Sequence, residues 1–417
     1  MMRKLKEYNI IGLFLILSVS FFSCSNDDDE VPPDEKVENV SPETLEVIPA
    51  DVAITQKAIK IEQLVGQTDR ERDEPTRNRT YSRYGLQATD LGVPFQKGDT
   101  TFVLFGDTWG DRGGLPNTVA YTLDKNPENG LELDFVVDES GSYYPLTVSQ
   151  ISQNEFEVPT EGIMIGDQMY IYHTTDHSAQ VTMGRSILAK SNNDGARTFE
   201  YLYDFSTTKF INVSVVQAAS SSWEGLPSEE NEESLITFGS GAYRQSEVFL
   251  GYQPALEIEN PQARSYFAGV NENEEPVWED SEIDALPIFD MDVDCVGEFS
   301  VSYNEFIKKW ILLYNCENPR GINLRTADNP WGPWTEPQVV FEPWEDEGYC
   351  NFIHVNWLDQ NCDELHDPGR ENEWGGEYGP YQFEHFATGD EQSTTIYFTM
   401  STWNPYTVVL MKTEISL

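Results

Sequence analysis

A short apolar or aromatic run closed by a small or polar turn occurs five times along this chain, and that recurrence constrains the fold more than any other feature. The runs are Phe102-Val103-Leu104-Phe105-Gly106-Asp107, Met169-Tyr170-Ile171-Tyr172-His173, Leu235-Ile236-Thr237-Phe238-Gly239-Ser240, Trp310-Ile311-Leu312-Leu313-Tyr314-Asn315 and Thr395-Ile396-Tyr397-Phe398-Thr399. Successive runs lie roughly 65 to 85 residues apart, a spacing that leaves room for several strands in each unit. Each is preceded by another strand candidate, at residues 87–95, 162–165, 213–218, 298–303 and 381–386. A unit of this kind cannot bury both of its faces alone, so five of them predict an all-β, five-bladed β-propeller. A pair of β-sandwiches is the runner-up, but it offers no reason for five similar units. Helical spacing of apolar residues is nearly absent beyond residues 57–64. The stretch Asn192-Asn193-Asp194-Gly195-Ala196-Arg197-Thr198-Phe199 resembles a degenerate Asp-box, a hairpin turn of some propeller blades, although any Asp-Gly hairpin carries the same signal.

Composition narrows the partners. With 10 Trp, 20 Tyr and 22 Phe the chain can build a large core, and 72 acidic against 26 basic residues give a formal charge of −46. Such a surface repels phosphate backbones, no basic patch reverses the field, and nucleic acid is excluded as a partner. At the N-terminus Arg3, Lys4 and Lys6 precede an apolar run at residues 10–22, a secretory signal at residues 1–23. Ser23-Cys24 sits where a lipoprotein signal peptidase would cut, and Cys24 is followed by Ser25, Asn26, Asp27, Asp28, Asp29 and Glu30. This resembles a bacterial lipoprotein displayed on the outer-membrane surface, lipidated at Cys24; the alternative is an ordinary secreted protein with a chance cysteine. Residues 24–55 read as an acidic flexible tether and 56–417 as the propeller, expected to be a monomer. Four further cysteines in an oxidising compartment predict two disulfides, the local choice being Cys295–Cys316 with Cys350–Cys362, one of three connectivities. A zinc site is the weaker reading, since no two of them form a close pair.

The inner strands of a propeller line a central channel, so polar residues at the ends of the repeated runs are where a ligand would be held. These are Asp107, Trp109 and Arg112 in unit one, and His173, Asp176 and His177 in unit two. Unit three has Tyr243 and Arg244, unit four Asn315, Asn318 and Arg320, and unit five Trp403, Asn404 and Tyr406. Aromatic faces beside Arg, Asn and carboxylates suit a carbohydrate. Glycosidic hydrolysis needs one carboxyl to protonate the leaving oxygen and another to activate water or attack the anomeric carbon. Asp90, in an otherwise nearly uncharged strand, and Asp107, at the end of the strongest one, are the leading candidates, with burial expected to raise one of their pKa values. Glu298 is a third, at the start of an apolar strand, and Glu161 stands similarly in unit two. Asp290, Asp292 and Asp294 mimic the start of a calcium loop, but no Gly takes the sixth position and their alternation with Phe289, Met291, Val293 and Cys295 reads as a strand. Structural calcium is therefore not indicated, and no cofactor or metal is expected. The five histidines (His173, His177, His354, His366 and His385) lack zinc-protease spacing, and no Gly-x-Ser-x-Gly elbow or phosphate-binding loop occurs.

Taken as an ordered set, Thr89-Asp90-Leu91-Gly92, Phe105-Gly106-Asp107-Thr108-Trp109, Phe238-Gly239-Ser240-Gly241-Ala242-Tyr243-Arg244-Gln245-Ser246, Gly297-Glu298-Phe299-Ser300-Val301 and Ser401-Thr402-Trp403-Asn404-Pro405-Tyr406 resemble glycoside hydrolase family 183. These are endo-D-arabinanases, formerly domain-of-unknown-function family 4185, and the similarity runs over residues 79–417. The resemblance implies a five-bladed propeller that cuts internal linkages of D-arabinan, the furanose polymer of mycobacterial arabinogalactan and lipoarabinomannan. It also implies that the essential acids match Asp90 and Asp107, and that Tyr243-Arg244 and Trp403-Asn404 touch substrate. Trp109, Arg112, Glu161 and His173 complete the expected binding set. The insertions at residues 224–233 and 359–377 have no counterpart in that pattern. Competing readings are a non-catalytic glycan-binding propeller of a surface uptake system, an L-arabinan-type hydrolase and a sialidase, the last disfavoured because an acidic sugar would meet a strongly negative protein.

Overall fold

A computed structural model describes residues 42–178, 184–228, 231–356, 362, 365–367, 370 and 373–417. The signal segment and Cys24 lie outside the described residues. Strands dominate, and five antiparallel sheets follow one another along the chain as five blades. Blade one runs Leu91–Lys97, Thr100–Phe105, Thr118–Thr122 and Asp134–Phe135 from the axis outward. Blade two runs Pro159–Ile165, Gln168–Thr175, Arg185–Ser191 and Thr198–Ser206, with Thr147–Val148 added in parallel at its outer edge. Blade three runs Asn212–Ala219, Glu233–Ser240, Val248–Pro254, Ser265–Val270 and Pro276–Glu279. Blade four runs Phe299–Asn304, Lys309–Glu317, Arg320–Ala327 and Gln338–Phe341. Blade five takes Glu377–Gln382, Ser393–Trp403 and Tyr406–Ser416 from the end of the chain and its outermost strand, Ala53–Gln63, from the beginning.

The five repeated runs are the second strands, and their near-continuous hydrophobicity follows from burial on both faces. In blade four Trp310, Leu312 and Tyr314 pack toward blade three, while Ile311 and Leu313 pack toward blade five. In blade two Met169 and Ile171 pack toward blade one, and Tyr170 and Tyr172 toward blade three. In blade one Val103 and Phe105 meet blade five, and Leu104 meets blade two. Five such interleaved cores, one per blade boundary, close the ring.

Side chains also staple the inner strands to their neighbours. Glu161 Oε2 accepts from the Val215 N–H at 3.0 Å, Ser214 Oγ from the Val301 N–H at 3.0 Å, and Ser300 Oγ from the Gln382 N–H at 3.1 Å. Ser401 Oγ accepts from the Leu91 N–H at 2.8 Å and so joins blade five to blade one.

Several sequence expectations are corrected. Of residues 57–64, with the strongest helical spacing, all but Leu64 are strand, because pairing to Tyr406–Ser416 closes the ring. Residues 42–55, taken as part of the tether, lie on the propeller: Glu43 bridges Val270 in blade three, and Ile48 bridges Thr335. The Asp290, Asp292 and Asp294 stretch is no strand; it crosses between blades three and four, held at its ends by Ile288 N–H to Val248 O and Val296 N–H to Ser246 O, both 2.9 Å. In blade five the inner strand is Glu377–Gln382, and residues 384–386 form a 3-10 turn. The Asp-box reading survives as geometry: Asp194 joins Arg185–Ser191 to Thr198–Ser206 by accepting from the Arg197 and Thr198 N–H groups, each at 3.1 Å, and from the Thr198 hydroxyl. Cys295–Cys316 and Cys350–Cys362 are the two disulfides.

Candidate active site

The inner strands all start at the same end of the channel, and the acids gather there. In blade one the chain is interrupted between Leu86–Ala88 and Leu91–Lys97; Leu91 at φ 66° and Gly92 at φ 89° make the bend, and Asp90 occupies the break. Gly106 holds the space opposite, since a Cβ on it would lie 2.3 Å from Asp90 Oδ1. Asp107 follows immediately, so the strand-end Gly-Asp pair seats one carboxyl and supplies the next.

Asp90 is 9 % and Asp107 4 % exposed. Asp90 Oδ2 accepts from the Tyr378 hydroxyl at 2.8 Å, with the Tyr406 hydroxyl and the Asp107 N–H also close to the carboxyl; its Oδ1 has no hydrogen bond of ordinary geometry. Asp107 Oδ2 accepts from the Phe156 N–H at 2.9 Å, and its Oδ1 is likewise without a partner. Burial raises the pKa of both, and each feels nearby negative charge: Glu298 for Asp90, and Asp90, Glu155 and Glu157 for Asp107. Hydrogen bonds from Tyr406 and Tyr378 pull Asp90 back down, whereas Asp107 has only the Phe156 N–H to do so. The pair therefore resists carrying two charges, and Asp107 is the better holder of the shared proton.

Glu298 arrives from blade four. Its Oε1 accepts from the Tyr243 hydroxyl at 2.9 Å, and its Oε2 lies 4.0 Å from Arg244 Nε. The Arg244 guanidinium stands over the Tyr243 ring at 5.1 Å and the Tyr378 ring at 5.8 Å, so one network links Asp90, Tyr378, Arg244, Glu298 and Tyr243 across four blades. The sequence reading missed Glu377 and Tyr378. Glu377 starts the inner strand of blade five as Glu298 precedes that of blade four, a shared signal that could have found it. Burial pushes its pKa up to about 7 against the pull of Arg320, and Asn315 Nδ2 lies 3.3 Å from its Oε1.

Trp109 and Trp403 are 52 % and 46 % exposed, available as stacking surfaces; Trp109 pairs with Ala88, just before Asp90. Other expected contacts lie elsewhere. His173 is fully buried, with Nδ1 2.6 Å from Thr174 O and Nε2 2.8 Å from Asn117 Nδ2, and burial lowers its pKa to about 4. It is a neutral packing residue rather than a sugar contact. Asn404 is 1 % exposed and donates to Trp374 O at 3.1 Å and Glu373 Oε2 at 3.2 Å, a structural role. Arg112 pairs with Asp138 and stands over Tyr143 at 5.7 Å. Glu161, pushed up to about 8 by burial, lines a cavity of about 590 Å³ toward the far ends of the inner strands, not the acid pair. Tyr381 lines that cavity and feels the charges of Glu298, Glu161 and Asp90. A smaller cavity, about 430 Å³, adjoins the acid end and shares Tyr406 with it. Among the described residues, no group of three or more His, Cys, Asp and Glu side chains is placed to hold a metal ion.

Residues 75–412 match the family described as "Domain of unknown function (DUF4185)". The chain belongs to that family. The match takes in blades one to four and most of blade five, leaving out its outermost strand Ala53–Gln63, and includes Asp90, Asp107, Glu298 and Tyr406. A comparison with curated proteins found no match. Among solved structures, a GH43_1 enzyme from Xanthomonas citri complexed with xylotriose is 11 % identical at a TM-score of 0.41, covering 78 % of this chain and 86 % of its own. An alpha-L-arabinofuranosidase from Podospora anserina in complex with cellotriose is 9 % identical at 0.44, covering 88 % and 99 %. Similarity that distant leaves the chemistry of the DUF4185 site to be argued from its own residues.

Proposed function

We propose that this protein is a glycoside hydrolase cleaving D-arabinofuranosyl linkages within arabinan of the mycobacterial arabinogalactan and lipoarabinomannan type, carried on the outer-membrane surface by lipidation at Cys24. The observation that carries the reading is the pair of buried, mutually repelling carboxyls at Asp90 and Asp107, with Glu298 beside them, where the inner strands begin. Asp107, the better proton holder, protonates the leaving glycosidic oxygen. Asp90, with its three nearby donors, stays ionised and either attacks the anomeric carbon or activates water. Arg244 and Tyr243 hold Glu298 in place and offer polar contacts to sugar hydroxyls, and Trp109 and Trp403 offer ring faces at the rim.

The test is reducing-end release from arabinan by wild type, Asp107→Asn and Asp90→Asn, with folding checked by thermal unfolding. Each substitution is expected to lower the rate by about 10²–10⁴-fold, the usual worth of a positioned acid or base. Undiminished release by Asp107→Asn removes the assigned acid and with it this mechanism.

A further inference from the structure

The cavity of about 430 Å³ lies between the blade-five turn and the segment that leads into blade one, and its size is that of small-molecule sites. Its walls include Gln67, Arg70, Tyr81, Gln87, Pro405 and Tyr406. Two features tie it to the acids. Tyr406 lines the cavity and has its hydroxyl close to the Asp90 carboxyl. Gln87 and Ala88, also in its wall, run directly into Thr89 and Asp90. The cavity therefore lies one side chain, Tyr406, and two residues of backbone from Asp90.

The chemistry of the walls selects the occupant. Arg70 is already met by Asp367, at 3.3 Å, and by the His366 carbonyl, at 2.8 Å, while Arg370 pairs with Glu373 at 3.1 Å. Little positive charge is left over for an anion. What remains is the half-exposed ring of Tyr81, the body of Tyr406, the exposed amide of Gln87 and the NH2 of Gln67, whose oxygen already accepts from the Ser82 N–H at 3.0 Å. Ring faces pack on the C–H side of a sugar, and amides both donate to and accept from its hydroxyls. An uncharged saccharide satisfies that set; a phosphate or carboxylate does not.

We propose that this cavity is a saccharide subsite holding the residues of the substrate chain next to the bond positioned at Asp90 and Asp107, with Tyr81 and Gln87 as its specificity-determining residues. The proposal rests on the glycosidase reading. The probe is a series of arabinofuranosyl oligosaccharides, from disaccharide to hexasaccharide, titrated calorimetrically into Asp107→Asn and into Asp107→Asn carrying Tyr81→Ala and Gln87→Ala. Both added positions are exposed, so thermal unfolding is expected to be unchanged; Gln87→Ala alone, which keeps the Tyr81 ring, is the milder companion. Affinity for Asp107→Asn is expected to rise with chain length, and the added substitutions to erase that rise, weakening hexasaccharide binding by about tenfold, the worth of one ring contact, while sparing the disaccharide. Equal affinities with and without Tyr81 and Gln87 at every length overturn the subsite. Cleavage of arabinan by wild type without any length dependence of binding also overturns it and leaves the glycosidase standing. No binding at any length together with no cleavage overturns both.

Discussion

Gly106 is the tightest point of the site. A methyl group there would lie 2.3 Å from Asp90 Oδ1, inside any permitted contact, so Gly106→Ala must displace the carboxyl or the strand end. It is expected to lower arabinan cleavage by more than tenfold, checked by initial rates alongside circular dichroism. Tyr378 acts differently, through the proton. Its hydroxyl donates to Asp90 Oδ2 at 2.8 Å and favours the charged carboxylate. Tyr378→Phe removes that donor, raises the Asp90 pKa further and moves the acidic limb of the kcat/KM profile to higher pH, whereas loss of a merely structural contact lowers the rate without moving the limb. His173→Gln, by contrast, changes a neutral buried residue with polar neighbours on both nitrogens, and is expected to cost stability rather than substrate affinity.

At the scale of elements, ring closure depends on Ala53–Gln63, paired along its length with Tyr406–Ser416. The side chain of Lys60 on that strand is 3 % exposed and reaches Asp69 Oδ1 at 2.8 Å and Glu71 Oε2 at 2.7 Å. Burial alone would raise the Asp69 pKa, but Lys60 and the Glu71 and Arg72 N–H groups outweigh it and the net shift is downward. Lys60→Met leaves Asp69 buried without its cation and is expected to destabilise the fold by about 3–5 kcal/mol, read from urea unfolding; a change under about 1 kcal/mol contradicts a buried pair. What the sequence disclosed about these elements follows from range. The second strands were legible because burial on both faces makes them continuous apolar runs, as in Trp310-Ile311-Leu312-Leu313-Tyr314. The closing strand was not, because Ala58, Ile59, Ile61 and Leu64 sit at helix-like intervals and only the distant C-terminal strand makes them a sheet. Asp90, Asp107 and Glu298 stood out as lone acids among apolar neighbours. Glu377 was hidden in an acidic insertion, and Tyr378 reads as any strand aromatic until the fold brings it to Asp90, 288 positions away.

Across the whole molecule the same electrostatics set the pH response. Glu161, seated among backbone N–H groups, has its pKa raised by burial from 4.5 to about 8, so the folded state binds a proton that the unfolded state releases. That stabilisation is complete below about pH 4.5 and is lost as pH rises through about 8. Glu377, raised to about 7, adds the same sign, as does self-repulsion in a protein of formal charge −46. The melting temperature is therefore expected to fall between pH 5 and pH 8 and to recover partly with added salt; a rise over that range contradicts the buried, protonated carboxyls. At one end of this propeller lies the acid pair proposed to break glycosidic bonds in arabinan. Chromatography of mycobacterial arabinogalactan after incubation with the purified protein decides whether it does: arabinose oligosaccharides are expected with wild type and absent with Asp107→Asn, and a polymer that wild type leaves at full length overturns the assignment.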